Sequence, residues 1–315
     1  MKTNNYINIV LIIFTIVVGM FSTNVKAQEK SILNKIVQVN GVEIFYREAG
    51  SKDSPTILLL HGYPTSSHMF RNLIKDLSGS YHLLAPDYPG YGNSEQPPIE
   101  KFDYTFDNMA NIIEGFLDKL KINKYSIYLM DYGAPIGFRI AAKYPERVDA
   151  LIIQNGNAYE EGLREFWKPI KKYWNNKTKE NGVALEGFHS LDGLKWQYTN
   201  GVRNPERISP DNWNVDLRHL EREGNDKIQL AMFYDYRTNV PLYPSWQEYF
   251  RKYQPPTLIV WGKNDYIFPS EGAFPYKSDL KNIEFHLLDT GHFALEEDGD
   301  VIAGLIREFL DNQID

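Results

Sequence analysis

An aspartate that closes an apolar run and opens a helix is the residue in this sequence best placed for chemistry. Tyr125-Ser-Ile-Tyr-Leu-Met leads into Asp131-Tyr132-Gly133-Ala134, and Ile136-Gly-Phe-Arg-Ile-Ala-Ala then reads as a helix. Strand, sharp turn and helix in immediate succession lift the side chain at the apex clear of a sheet and into a pocket. A carboxylate there forms no useful acyl-enzyme with an ester carbonyl, but it attacks an electrophilic sp3 carbon and is itself alkylated to an ester. An epoxide or an alkyl halide supplies such a carbon. The competing reading is a carboxylate that only caps the next helix, where Asp is favoured by the free N–H groups and the helix dipole.

Three further segments, in order, favour the chemical reading. His61-Gly62-Tyr63-Pro64 follows one apolar run, Trp261-Gly-Lys-Asn-Asp265 ends another, and Asp289-Thr-Gly-His292-Phe follows the last. Side chains this far apart in sequence converge only if each stands at the C-terminal end of a strand in a shared sheet.

The elements that must position them alternate. Ile36-Val-Gln-Val and Val42-Glu-Ile-Phe-Tyr flank Asn40-Gly41, a hairpin signal. Thr56-Ile-Leu-Leu-Leu and Tyr81-His-Leu-Leu-Ala-Pro are continuous apolar runs of the kind buried on both faces of a parallel sheet. Val148-Asp-Ala-Leu-Ile-Ile-Gln, Thr257-Leu-Ile-Val-Trp and Ile283-Glu-Phe-His-Leu-Leu add three strands. Met109, Ile112, Ile113, Phe116, Leu117 and Leu120 make one helix face, and Ile302, Leu305, Ile306, Phe309 and Leu310 another. The expected class is α/β, a mostly parallel sheet with helices on both faces. Residues 158–245 break the rhythm and, with Trp246 at their edge, hold five of the six tryptophans. They are expected to form an inserted helical lid over a pocket, between core segments 28–157 and 246–315.

These motifs resemble the α/β hydrolase superfamily, and within it the branch of epoxide hydrolases and haloalkane dehalogenases. The likeness is carried by His61-Gly-Tyr-Pro-Thr-Ser-Ser, Ala85-Pro-Asp-Tyr-Pro-Gly-Tyr-Gly-Asn-Ser94, Asp131-Tyr-Gly, Trp261-Gly-Lys-Asn-Asp and Gly291-His292-Phe. The resemblance implies Asp131 as nucleophile, His292 as the base that activates water against the ester, and Asp265 as the acid orienting His292. It further implies an oxyanion hole from the backbone N–H groups of Tyr63 and Tyr132. Asp131 is expected to be ionised near neutrality, with the ordinary aspartate pKa of ~3.9.

Within that branch, dehalogenases cradle the halide with Trp after the nucleophile and often Asn between His-Gly and Pro. Tyr132 and Tyr63 stand there instead. Epoxide hydrolases use two lid tyrosines that protonate the developing alkoxide. Asp235-Tyr236-Arg237 looks like the segment holding one, and Trp196-Gln-Tyr198 offers the other. Trp167 and Trp196 are the expected substrate-lining aromatics. Leu129, where many elbows carry a small residue, is expected to open the turn slightly. The leading expectation is therefore an epoxide hydrolase. Haloalkane dehalogenase is the rival enzyme, and a ligand-binding protein on a hydrolase-like fold is the non-enzymatic rival.

The N-terminus has a short basic start, an apolar stretch from Ile9 to Phe21 and Val25-Lys26-Ala27, the pattern of a signal peptide cleaved after Ala27. Cleavage removes Lys2 and Lys26 and no acid, taking the formal charge from −7 to −9. A periplasmic or secreted protein is expected, with no integral membrane segment after cleavage. The negative charge argues against a nucleic-acid partner. The seven histidines show no paired ligand spacing, so no metal or other cofactor is expected. The expected partner is a small apolar organic substrate. The sequence carries no indication of oligomeric state.

Overall fold

The computed structural model describes residues 31–313. The expected signal peptide and its cleavage site lie outside them. Eight strands form one sheet: β1 (Leu33–Val39), β2 (Val42–Ala49), β3 (Thr56–Leu60), β4 (His82–Pro86), β5 (Tyr125–Met130), β6 (Val148–Gln154), β7 (Thr257–Gly262) and β8 (Ile283–Leu288). Their spatial order is β1-β2-β4-β3-β5-β6-β7-β8. Only β1–β2 and β2–β4 pair antiparallel; the others are parallel. Asn40 and Gly41 join β1 to β2 with φ of 50° and 86°, as a tight hairpin turn demands. The continuous apolar runs are the central strands, with β4 and β5 buried at every residue, whereas β8 at the edge is mostly half-buried.

The helices follow in chain order: α1 (Arg71–Leu77), α2 (Phe106–Lys119), α3 (Gly133–Lys143), α4 (Lys168–Asn175), α5 (Lys179–Val183), α6 (Leu191–Thr199), α7 (Pro210–Leu220), α8 (Asn225–Asp235), α9 (Tyr243–Tyr253), α10 (Tyr276–Asp279) and α11 (Ala294–Asp311). α2 starts where the Thr105 hydroxyl accepts from the Asn108 amide, and it buries Met109, Ile112, Ile113, Phe116 and Leu117. Burying five such side chains contributes on the order of 1.5–3 kcal/mol each.

From β3 the chain crosses to β4 on one side and returns to β5 on the other. That reversal opens a crevice between the C-terminal ends of β3 and β5. His61-Gly62-Tyr63 and Asp131 emerge on its two sides.

Between β6 and β7 every regular element is helical. This excursion lies over the C-terminal strand ends, because its contacts go to the loops that leave them. Tyr63 after β3 bonds the Phe188 carbonyl, Tyr91 after β4 bonds Gln229, and Trp167 bonds the Ile267 carbonyl after β7. The Asp235 carboxylate accepts from the Phe106 amide at the start of α2. α9 then returns to the core, packing Trp246 and Phe250 on Phe138 of α3.

Candidate active site

Asp131 sits at the turn between β5 and α3 with φ of +50°, a left-handed conformation that a side chain larger than glycine adopts at a cost. The surroundings enforce it. A Cβ on Gly62 would overlap the Asp131 side chain, so only glycine lets the β3 loop come this close. Leu129 is fully buried, and the room for it comes from α3, where a Cβ on Gly137 would collide with Leu129 Cδ2.

The two oxygens of the Asp131 carboxylate have different surroundings. Oδ1 accepts from the Tyr63 amide at 2.7 Å and from the Tyr132 amide at 2.6 Å. Oδ2 lies 3.8 Å from His292 Nε2, too far for a hydrogen bond. Burial pushes the Asp131 pKa up to about 6, against the opposing pull of His292 and the two amides. The ordinary aspartate value expected from sequence is thus corrected by desolvation, though the group stays mainly ionised at neutral pH.

His292 stands between β8 and α11, and its Nδ1 is 2.8 Å from Asp265 Oδ2. Its backbone carbonyl accepts from Gln154 Nε2, which fixes the loop from below. Burial by itself pulls His292 down, but the charge and hydrogen bond of Asp265 and the charge of Asp131 outweigh it, so its pKa is raised. Asp265 follows β7 and receives the Ile267 amide on Oδ1 at 2.7 Å.

A further residue of the site was not found by sequence reasoning. Asn155, just past β6, donates from Nδ2 to Asp265 Oδ2 at 2.7 Å and accepts on Oδ1 from the Gly262 amide at 3.0 Å. Its φ of +46° is the second left-handed conformation at this edge. The signal was Asn-Gly directly after an apolar strand, at the same sheet edge as the other three residues.

The expected tyrosines are divided between two places. Tyr236 is buried beside Tyr132, ring centroids 6.0 Å apart, with Trp167 at 4.3 Å; its hydroxyl lies 3.5 Å from that of Tyr243. The Tyr132 hydroxyl is buried and has no hydrogen-bond partner among the described residues. The Tyr63 hydroxyl donates to the Phe188 carbonyl at 3.0 Å and lies 2.7 Å from His189 Nδ1. Tyr198, by contrast, is not brought together with Tyr236. Its hydroxyl donates to Asp216 of α7 at 2.6 Å, and its ring stacks on Phe293 at 4.0 Å. Its phenolic proton is committed to a carboxylate, which sequence alone did not reveal. Trp167 lines the aromatic wall around Tyr236, with its indole N–H donated to the Ile267 carbonyl at 2.8 Å. Trp196 stands further out, parallel to Phe166 and edge-on to Tyr266.

The arrangement therefore offers a carboxylate with one free oxygen, a pair of amides on the other, and an imidazole backed by a carboxylate. A profile of the alpha/beta hydrolase fold family matches residues 55–299. The chain belongs to that family. It is a hydrolase of that family. An uncharacterized hydrolase of Saccharomyces cerevisiae is 43% identical over 284 residues, covering 89% of this chain and 97% of that protein. A haloalkane dehalogenase of Mesorhizobium japonicum is 40% identical over 292 residues, covering 84% and 87%. Epoxide hydrolase 1 of Caenorhabditis elegans is 24% identical over 287 residues, covering 88% and 70%. Among solved structures, the haloalkane dehalogenase DatA of Agrobacterium tumefaciens superimposes with a TM-score of 0.75 at 23% identity, covering 90% of this chain and 97% of its own. That last likeness is one of fold.

Proposed function

We propose that this hydrolase opens epoxides through an alkyl ester on Asp131. The observation that carries the reading is the set of hydroxyl donors beside the nucleophile: the unpartnered Tyr132 hydroxyl and the Tyr236 hydroxyl, held only by a long contact to Tyr243. The indole N–H groups of Trp167 and Trp174, which pack on Tyr236, are both spent on backbone carbonyls. A departing halide is stable as an anion and needs weak donors; an alkoxide is a strong base and gains from a proton.

In the first step Asp131 Oδ2 attacks an epoxide carbon. The carbon–oxygen bond breaks, its electron pair stays on oxygen, and a phenol protonates it. In the second, His292 Nε2 takes a proton from water as that water adds to the carboxyl carbon of the Asp131 ester. The charge then develops on Oδ1, where the Tyr63 and Tyr132 amides already point. Collapse breaks the bond between the Asp131 carboxyl carbon and Oδ2, His292 returns its proton to that departing oxygen, and the second proton of the water restores the phenol; the diol leaves with the former Oδ2, and the water oxygen remains in Asp131. The helical excursion serves in this reading as the lid that excludes bulk water. The N-terminal pattern supports an exported enzyme whose mature chain begins at Gln28, a point decided by N-terminal sequencing.

The 40% identity to a haloalkane dehalogenase favours a second reading, halide displacement by the same Asp131. One experiment separates them. The enzyme is offered a panel of small epoxides and bromoalkanes, and diol and bromide are quantified. We expect diol, little bromide, and a Tyr132→Phe, Tyr236→Phe double variant slowed by ~10²–10⁴-fold in alkylation. Single turnover in heavy-oxygen water should give a first diol free of the label. Faster bromide release than diol formation, with the double variant silent, would hand the site to dehalogenation.

A further inference from the structure

The helical excursion carries a groove on its outer side that the reaction as described does not use. It encloses about 390 Å³ and is walled by Phe166, Phe188, Trp196 and Tyr266, with Gly187 and Ala184 at its rim. Phe166 and Trp196 are parallel with centroids 6.1 Å apart, Phe188 packs on Phe166 at 4.8 Å, and Tyr266 meets Trp196 edge-on at 5.8 Å. The only charged residue in the lining is Glu165, so an anionic group has no cation to meet there. The volume is in the range of small-molecule sites, and the surface is aromatic rather than hydrogen-bonding.

The groove is one residue away from the reaction centre. The Phe188 side chain forms its wall, while the Phe188 carbonyl accepts from the Tyr63 hydroxyl, and the Tyr63 amide holds Asp131 Oδ1. Phe233 backs Phe188 and Tyr63 alike, at 5.8 and 5.0 Å. Tyr266 directly follows Asp265, and Trp167, next to Phe166, packs on Tyr236. Through Phe188 and through the Phe166–Trp167 pair the groove and the site therefore share walls.

We infer that this groove is an outer subsite that takes the neutral, apolar tail of the substrate, so that the natural substrates are long-chain alkyl or aryl-terminated epoxides rather than the smallest ones. The inference deepens the epoxide reading and rests on it for the word epoxide; the subsite itself rests only on the groove. Every methylene transferred from water into such a surface is worth about 0.8 kcal/mol at full burial, hence up to ~4-fold in affinity. A tail that ends in a phenyl ring gains offset or edge-on contacts with Trp196 and Phe166 as well.

The test uses binding, so that it holds whether or not any epoxide is turned over. Vicinal diols from butanediol to decanediol, together with a phenyl-terminated one, are titrated calorimetrically into the wild type, Gly187→Phe and Trp196→Ala. Gly187 is chosen because a Cβ there meets nothing within 4 Å, so the new ring fills the groove without disturbing the turn. The wild type should bind about 2- to 4-fold more tightly per added methylene across the middle of the series. Both variants should flatten that dependence, with the ratio of longest to shortest falling at least ~10-fold. A chain-length dependence unaltered in both variants overturns the subsite, as does finding the groove covered by a second copy in solution with Gly187→Phe breaking that dimer and leaving diol binding unchanged. Length-dependent diol binding without turnover of any epoxide leaves the subsite standing and overturns the reaction instead.

Discussion

Two buried carboxylates in this molecule differ in almost everything except burial. Asp131 stands at the end of β5 and Asp216 in the middle of α7, and desolvation pushes the first up to about 6 and the second up to about 7. Asp131 has two backbone amides on one oxygen and an imidazole near the other. Asp216 has the Tyr198 hydroxyl on one oxygen, with the Thr65 hydroxyl and the Arg71 charge near by. The strand edge supplies donors that cannot move, because they belong to the turns themselves. The helices above supply side chains whose partners depend on how the excursion packs. A raised pKa alone thus marks neither residue as reactive; the two backbone amides on Oδ1 of Asp131 and the imidazole facing its Oδ2 do.

The largest expected effect tests that contrast directly. Asp131→Ala should lose at least ~10⁴-fold in turnover, while Asp216→Asn, which gives up charge but keeps a hydrogen-bonding group, should cost less than ~10-fold, the worth of one neutral hydrogen bond. Steady-state rates on one responsive substrate suffice, and equal losses in the two variants would erase the distinction. A smaller effect belongs to Asn155→Ala. Removing a donor to a charged acceptor costs ~1.5–3 kcal/mol, so ester hydrolysis should slow by about 10- to 100-fold with alkylation of Asp131 little changed, as read by rapid-quench mass measurement of the adduct. If both steps slow together, Asn155 acts on the fold rather than on the imidazole.

The smallest effect concerns stability against pH. Both carboxylates have folded pKa values above the ordinary 3.8, so their contributions are fully present below that value and are lost as pH rises through about 6 for Asp131 and about 7 for Asp216. Buried His61, His68 and His189, lowered to about 4, push the other way in both proteins, so the comparison is made by difference: between pH 5 and pH 8 the denaturation midpoint of the wild type should fall relative to that of Asp216→Asn. An unchanged slope in that variant would show that Asp216 does not titrate in this window.

Much of this was legible in the sequence, for physical reasons that vary by element. The central strands announce themselves as continuous apolar runs because both faces are covered, and Asp131 and Asp265 each follow one, while His292 follows the half-buried edge strand β8. Tyr63 and Tyr132 follow from the same logic, since their amides belong to turns whose position the strands dictate. The pKa of Asp131 was misjudged because burial is a property of the assembled lid and core. Tyr198 could not be placed because its partner, Asp216, lies 18 positions away on another helix of the excursion. Nothing in local periodicity pairs two helices of an irregular layer. Asn155 was readable in principle, as a turn residue at the right edge, but a single asparagine after a strand is weak evidence until the strand's neighbours are known.

The 3.8 Å separation between Asp131 Oδ2 and His292 has a consequence for timing. Asp131 is one of the charges that hold the proton on His292, after burial and Asp265 have been weighed. In the proposed cycle, alkylation turns that carboxylate into a neutral ester. The imidazole then loses part of its hold on the proton at the moment when an unprotonated nitrogen is wanted. On that proposal the first reaction favours the second, by removing one of the charges that raise the His292 pKa.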